Sequence, residues 1–255
     1  MLIAYTREVS PALADCELTH LEREPRDVAG ARAEHEVYES VLERFGASVR
    51  RLPSTPHLPD GVFVEDAAVV LDNVAVITRP GAPSRQPETA SVEAALATHR
   101  PLVHVRAPAT LDGGDVLVAG RTIYIGLSTR TSREAIQQLT DQLAPYGYDV
   151  IPLAFTGCLH LKSAVTRVAD DLMLLNPAWV EADAFTGYRA LATDPAEPHA
   201  ANALALGGAV IHPLQHVRTR ARLEAAGLTV VTVPQVELAK AESGVTCCSL
   251  LVEVR

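Results

Sequence analysis

The sequence predicts an α/β fold: a closed, pseudo-symmetric ring of five units, a five-bladed α/β propeller in a single domain over residues 1–255. Three observations lead there. A pattern of strand, turn, strand, helix and strand recurs with a period of about 45 residues. Four copies are complete or nearly so. The fifth is divided, with its last strand at 245–254 and its remainder at 1–53, and a divided repeat lets the terminal strand pair with the first and close a ring. Strand–helix alternation also fits an open α/β sheet, the competing architecture.

The elements follow in order. MLIAYT at 1–6 reads as a strand, and 11–27 is charged and irregular, a mobile loop. At 31–45, Val37, Tyr38, Val41, Leu42 and Phe45 form one helical stripe that Gly46 stops. VRRLP at 49–53 is a short strand. Residues 64–77 read as two strands turning at Asp72 and Asn73, followed by a helix near 88–98 and a strand at 101–105. A second hairpin at 115–125 turns at Gly120. Its helix carries a capping box of Thr131 and Glu134 and a stripe of Ile136, Leu139 and Leu143, and its strand lies at 148–153. A third hairpin at 164–175 turns at Asp170 and Asp171, with a weaker helix near 182–191. A fourth at 203–211 turns at Gly207 and Gly208, with a helix at 219–226 and a strand at 228–233.

Composition narrows the function. With 48% hydrophobic and 21% charged residues the chain can bury a sizeable core, and at 4% aromatics that core is packed by Val, Leu and Ala. A net charge of -9 argues against nucleic acid and anionic membrane as partners. The opening MLIAYTREVS meets Arg7 and Glu8 too soon for a signal peptide, and no apolar run approaches the roughly 20 residues of a membrane helix. A cytoplasmic location with reduced cysteines is expected. The four cysteines show no CxxC or paired Cys/His spacing, so no zinc site is expected. The chain is compatible with a homodimer.

The stretch AESGVTCCSL at 241–250 places adjacent Cys247 and Cys248 where a loop enters a strand. A thiol there is held by a rigid element, although free cysteine is also often a small buried hydrophobe. If the units are equivalent, the start of every hairpin faces one central place. Those starts carry Glu65 and Asp66, then Asp112-Gly113-Gly114-Asp115, then His160-Leu161-Lys162-Ser163, then Asn202, then Cys247. A thiol of ordinary pKa is a modest nucleophile until a base or cation activates it. His160 is the candidate base and acid, Asp112 its orienting carboxylate, and the glycines after Asp112 allow close backbone approach. Glu65 and Asp66 suit a planar guanidinium. Each has a plain alternative: His160 between two leucines fits a core histidine, Asp112-Gly113-Gly114 fits a turn, and Glu65 and Asp66 fit a solvated strand entry.

Five blocks carry a resemblance: LPDGVFVEDAAVV at 58–70, LDGGDVL at 111–117, GLSTRTS at 126–132, LHLKSAVT at 159–166 and SGVTCCSLL at 243–251. Together they resemble the dimethylarginine dimethylaminohydrolases of the guanidino-group-modifying (amidinotransferase and arginine deiminase) superfamily. The resemblance implies the five-bladed pentein fold. It implies Cys247 as nucleophile with Cys248 a structural neighbour, His160 as general acid and base, and Asp112 as its partner. Asp66 would bind the guanidinium with Asp60 and Glu65 assisting, Phe63 and Ser163 would line the site, and Leu18 would belong to a lid. Arg85 and Arg130 would hold the α-carboxylate, and Glu242 with the Ala241 carbonyl the α-amino group. Glu242 stands where the family more often has Asp. The implied reaction is hydrolysis of asymmetric dimethylarginine or monomethylarginine to citrulline and dimethylamine or methylamine, through a covalent S-alkylthiouronium and without cofactor. An arginine deiminase-like hydrolase of unmethylated arginine is the nearest rival, an amidinotransferase a weaker one, and a non-catalytic binder of arginine-like ligands the reading from another class.

Overall fold

The computed structural model describes residues 1–254. It contains five three-stranded sheets, each with a middle strand antiparallel to one neighbour and parallel to the other. In chain order these are β3(Ala68–Val70)-β4(Ala75–Ile77)-β5(Leu102–His104), β6(Val116–Ala119)-β7(Thr122–Gly126)-β8(Asp149–Leu153), β9(Val165–Ala169)-β10(Leu172–Leu175)-β11(Arg189–Ala192) and β12(Leu204–Leu206)-β13(Ala209–Pro213)-β14(Val230–Val233). The fifth sheet is assembled from both ends of the chain, β15(Leu250–Glu253)-β1(Leu2–Thr6)-β2(Ala47–Arg51). Leu2 pairs with Glu253, and the Val254 N–H donates to the Met1 carbonyl at 2.8 Å.

Strand alternation explains why the sheets form a ring. Successive side chains point to opposite faces, and each middle strand is apolar on both. On β7, Ile123 and Ile125 enter a cluster shared with the β3-β4-β5 sheet, while Tyr124 enters one shared with the β9-β10-β11 sheet. On β10, Met173 and Leu175 face back to the β6-β7-β8 sheet, and Leu172 and Leu174 face forward to Val210. On β1, Ile3 and Tyr5 meet Ile77 of the first sheet, and Ala4 meets Ile211 of the fourth. Five apolar clusters thus join five sheets in a cycle, and no sheet exposes a whole face. The five-bladed α/β propeller expected from the repeat is the observed fold, and the open sheet is not.

Details depart from the sequence expectation for physical reasons. The first helix, α1 (Val28–Arg44), starts earlier because the Asp27 carboxylate caps the Ala29 N–H, and Val37 of the expected stripe is exposed while Ala31 and His35 are buried. The helix at Arg133–Leu143 is capped by Ser132, not by Thr131, whose hydroxyl instead donates to Asp115. No helix forms at 182–191: a single 3-10 turn, Ala182–Ala184, leads to the strand β11. There Phe185 turns inward against Tyr124, 5.0 Å between ring centres, and Gly187 adopts φ 88°. The expected strand at 245–254 opens with a 3-10 turn, Val245–Cys248, before β15. The expected mobile loop at 11–27 is a packed strap with Leu13 and Cys16 fully buried. Among the described residues no helix is long and apolar enough to cross a membrane.

Candidate active site

One-turn helices precede the first strands of four units: Val64–Ala67, Gly113–Asp115, Leu161–Ala164 and Val245–Cys248. They meet around the ring axis, which brings together side chains from four repeats. Glycine makes this approach feasible. A Cβ on Gly113 would lie 2.0 Å from the Glu65 carbonyl oxygen, and one on Gly114 would lie 2.5 Å from His160 Nδ1.

The imidazole of His160 sits between two carboxylates, with Nε2 3.1 Å from Asp112 Oδ2 and Nδ1 3.8 Å from Asp66 Oδ1. Asp112 is fixed by the Gly81 N–H at 2.8 Å. Asp66 accepts from the Gly114 N–H at 2.9 Å and from Arg85 Nη1 at 2.6 Å. Beneath His160, buried Asp115 accepts from the Ser128 and Thr131 hydroxyls, both at 2.6 Å, and from the Leu161 N–H at 3.0 Å. Cys247 Sγ accepts from the Gly244 N–H at 3.3 Å. Its turn is tied down through Thr246, whose N–H donates to Asn202 Oδ1 at 3.0 Å and whose hydroxyl donates to Glu65 at 2.8 Å. Glu65 also accepts from Lys162 Nζ at 2.5 Å.

These contacts set the charges. Burial disfavours the imidazolium, but the charge of Asp66, the hydrogen bond to Asp112 and the charge of Asp115 outweigh it and hold His160 at about 9. Burial would raise Asp66, yet His160 and Arg85 pull it down to about 2. Burial and the charges of Glu65 and Asp66 push the Cys247 thiol up to about 12, and Cys248 also lies well above the ordinary thiol value. At neutral pH the site therefore holds a thiol, an imidazolium and charged Asp66. Asp66, Asp112 and His160 also form the one group of His, Cys, Asp and Glu close enough to share an ion among the described residues, each offering one atom within 4.8 Å of the others.

A small cavity of about 20 Å³ gathers many of the expected residues. Cys247, His160 and Asp66 line it, with Asp60 and Phe63 beside them. Arg85, Arg130, Ala241 and Glu242 also line it. Asp112 lies behind His160, and Glu65 lies under Cys247, where it faces a second opening of the ring axis with Lys162. Leu18 packs on the apolar cluster that holds Cys247, and Ser163 faces a neighbouring, larger cavity. Arg85 is buried and engaged with Asp66, Glu88 and the carbonyls of Phe63 and Asp60. Glu242 accepts from the backbone N–H groups of Thr19, His20 and Leu21 in the strap, and Arg130 Nη2 donates to the Thr19 hydroxyl at 3.2 Å.

Sequence reasoning missed Lys162, Thr246 and Asp115 as parts of the site, and Glu17, Leu159 and Ser243 as its walls. Lys162 and Asp115 stood inside the quoted motifs, and an ionisable residue recurring at a unit start was the available signal. Nothing in the sequence distinguished Glu17 from the other acids of its loop.

A ring of five α/β units with a thiol, an imidazole and buried carboxylates at its centre defines a class of protein, and residues 53–198 match a family model described as arginine deiminase. A dimethylarginine dimethylaminohydrolase from Streptomyces coelicolor is 45% identical over 67% of this chain and 67% of its own length. A solved structure from Pseudomonas aeruginosa, a cysteine-to-serine variant of that enzyme complexed with citrulline, superimposes with a TM-score of 0.93 at 30% identity, covering 98% of each chain. Another, a histidine-to-glycine variant as an adduct with S-methyl-L-thiocitrulline, gives a TM-score of 0.92 at 30% identity over 99% of this chain and 100% of its own. The chain belongs to the dimethylarginine dimethylaminohydrolase family, within that wider arginine deiminase grouping.

Proposed function

We propose that the protein hydrolyses Nω-methylated arginine, asymmetric dimethylarginine or monomethylarginine, to citrulline and the corresponding methylamine. The observation that carries this reading is that Cys247, His160 and Asp66 line one cavity, with a carboxylate where a guanidinium would rest and an acid where an amine would leave. Asp66 binds the planar cation, and Arg85 keeps Asp66 charged. The bound cation adds positive charge beside Cys247 and offsets Glu65 and Asp66, which lowers the thiol pKa and exposes the thiolate to the guanidinium carbon. Cys247 Sγ bonds to that carbon, and His160 gives its proton to the departing amine as the C–N bond breaks. His160 then takes a proton from water, whose oxygen displaces the sulfur and leaves citrulline. Asp112 fixes the imidazole, and Asp66 holds positive charge at the reacting carbon through both steps. Arg130 receives the α-carboxylate and Glu242 the α-ammonium, once each gives up its contact with the strap. A cytoplasmic location suits a chain with four free thiols.

Citrulline release from asymmetric dimethylarginine, monomethylarginine and arginine, measured side by side, tests the reading. Turnover of the methylated substrates over arginine is expected. Preference for arginine moves the same residues to a deiminase reaction. Cys247→Ser is expected to lower turnover by at least about 10³-fold with an unchanged circular dichroism spectrum, and Cys248→Ser to keep most activity. The reverse pattern removes the assignment of the nucleophile.

A further inference from the structure

The reactive cavity is not the largest in the molecule. Beside it lies one of about 340 Å³, against about 20 Å³. Leu159, Glu242 and Ser243 line both and form the partition between them. Leu159 immediately precedes His160, which delivers a proton to the leaving nitrogen, and Ser243 begins the turn that carries Cys247. The partition therefore adjoins the segments that carry His160 and Cys247.

We propose that the larger cavity is a leaving-group chamber: it receives the amine displaced from the guanidinium carbon and so sets how large an Nω substituent the enzyme accepts. This rests on the guanidine-hydrolysis reading. As Cys247 Sγ bonds to the carbon, the leaving nitrogen keeps the C–N bonding pair, takes the His160 proton and departs as a neutral amine. It needs somewhere to go. The reactive cavity, at about 20 Å³ against about 340 Å³, offers far less room than its neighbour. The amino-acid end of the bound substrate takes the side where the strap lies, and the Glu65–Lys162 pair closes the floor at 2.5 Å. The partition remains.

The chamber's chemistry suits such a guest. His199 and His216 line it as neutral imidazoles, because burial disfavours their charged forms, His216 being lowered to about 4. The Lys240 ammonium on the same wall is already held by Glu237 at 2.7 Å. Gln235 is 3% exposed, lines the chamber, and has an Oε1 with no hydrogen-bond partner among the described residues. A buried acceptor left unpaired is costly, and this one is satisfied by a guest that brings a donor. A substituent ending in a hydroxyl fits this description better than an alkyl chain of equal length.

The test compares citrulline release from Nω-methyl-, Nω-propyl- and Nω-(2-hydroxyethyl)arginine. The wild-type protein is expected to keep kcat/KM within about ten-fold across the three. Ala239→Phe, which adds bulk to the chamber's wall, is expected to cut the two longer substrates by about thirty-fold while the methyl substrate changes less than about three-fold. Gln235→Leu leaves the chamber open and is expected to erase any advantage of hydroxyethyl over propyl. Val217→Phe, on an exposed helix end, should change none of these ratios. Turnover of methylarginine with rejection of the propyl substrate by more than about a hundred-fold overturns the chamber and leaves the guanidine reading standing. So does an equal loss on all three substrates in Ala239→Phe, or an unchanged hydroxyethyl-to-propyl ratio in Gln235→Leu. Failure of the wild-type protein to turn over any of them removes both together.

Discussion

The imidazole of His160 rests on Gly114, and its protonation follows from what surrounds it. With His160 at about 9 and the Cys247 thiol at about 12, the reactive pair of thiolate and imidazolium is a minor form of the free enzyme. Below pH 9 the imidazolium is already present, so raising the pH adds thiolate. Above pH 9 each gain in thiolate is offset by loss of the His160 proton. The expected kcat/KM therefore climbs about ten-fold per pH unit through neutrality and flattens near pH 9. A profile that falls before pH 8 would contradict these assignments. The reacting residue types were legible in the sequence because thiol, imidazole and carboxylate each began a repeat. Their charge states were not, since those depend on Arg85 and Asp115 reaching the centre from short 3-10 turns whose side-chain directions no pattern encodes. Gly113 and Gly114 were legible as points of close approach, but not that the group approached would be the imidazole itself.

The middle of the strap over residues 11–27 is gathered by one carboxylate, that of Glu242. Glu242 sits at φ 57°, a left-handed backbone that disfavours residues other than glycine, and from there it collects N–H groups from three consecutive strap residues. Arg23 and Arg26 add bonds to the Cys16 and Lys240 carbonyls at 2.8 and 2.7 Å. Glu242→Ala is expected to speed tryptic cleavage after Arg23 by about ten-fold or more, through easier local opening. An unchanged cleavage rate would mean that the buried Leu13 and Cys16 hold the strap alone. This segment reads as mobile because its charges lack any period. Its order comes from partners far along the chain, Asp60, Ser84, Lys240 and Glu242, which no local signal announces. Likewise the helix expected at 182–191 fails because its few apolar groups serve the neighbouring sheet through Phe185.

The ring as a whole was the most legible feature, because strands buried on both faces repeat their apolar runs at regular spacing. The order in which apolar clusters link neighbouring sheets was not, since alternation shows two faces but not which neighbour each one meets. In the fifth sheet the chain is interrupted between the first and middle strands, where the other sheets have a hairpin turn. The equivalent cut elsewhere lies between Gly120 and Arg121, in an open turn with Gly120 at φ 65°. A chain reopened there, with residues 1 and 255 joined by a short glycine linker, is expected to melt cooperatively and keep at least about a tenth of the activity. Loss of the folded state would show that closure between β15 and β1 cannot tolerate a linker. The distribution of the reacting groups has a further consequence. Asp66, Asp112, His160 and Cys247 belong to four different units, so no single unit, nor any adjacent pair, carries a reactive set. Chemical competence is thus a property of the assembled circle: a molecule with any of those four units detached lacks a member of the reactive set, and its turnover reports whether they are together.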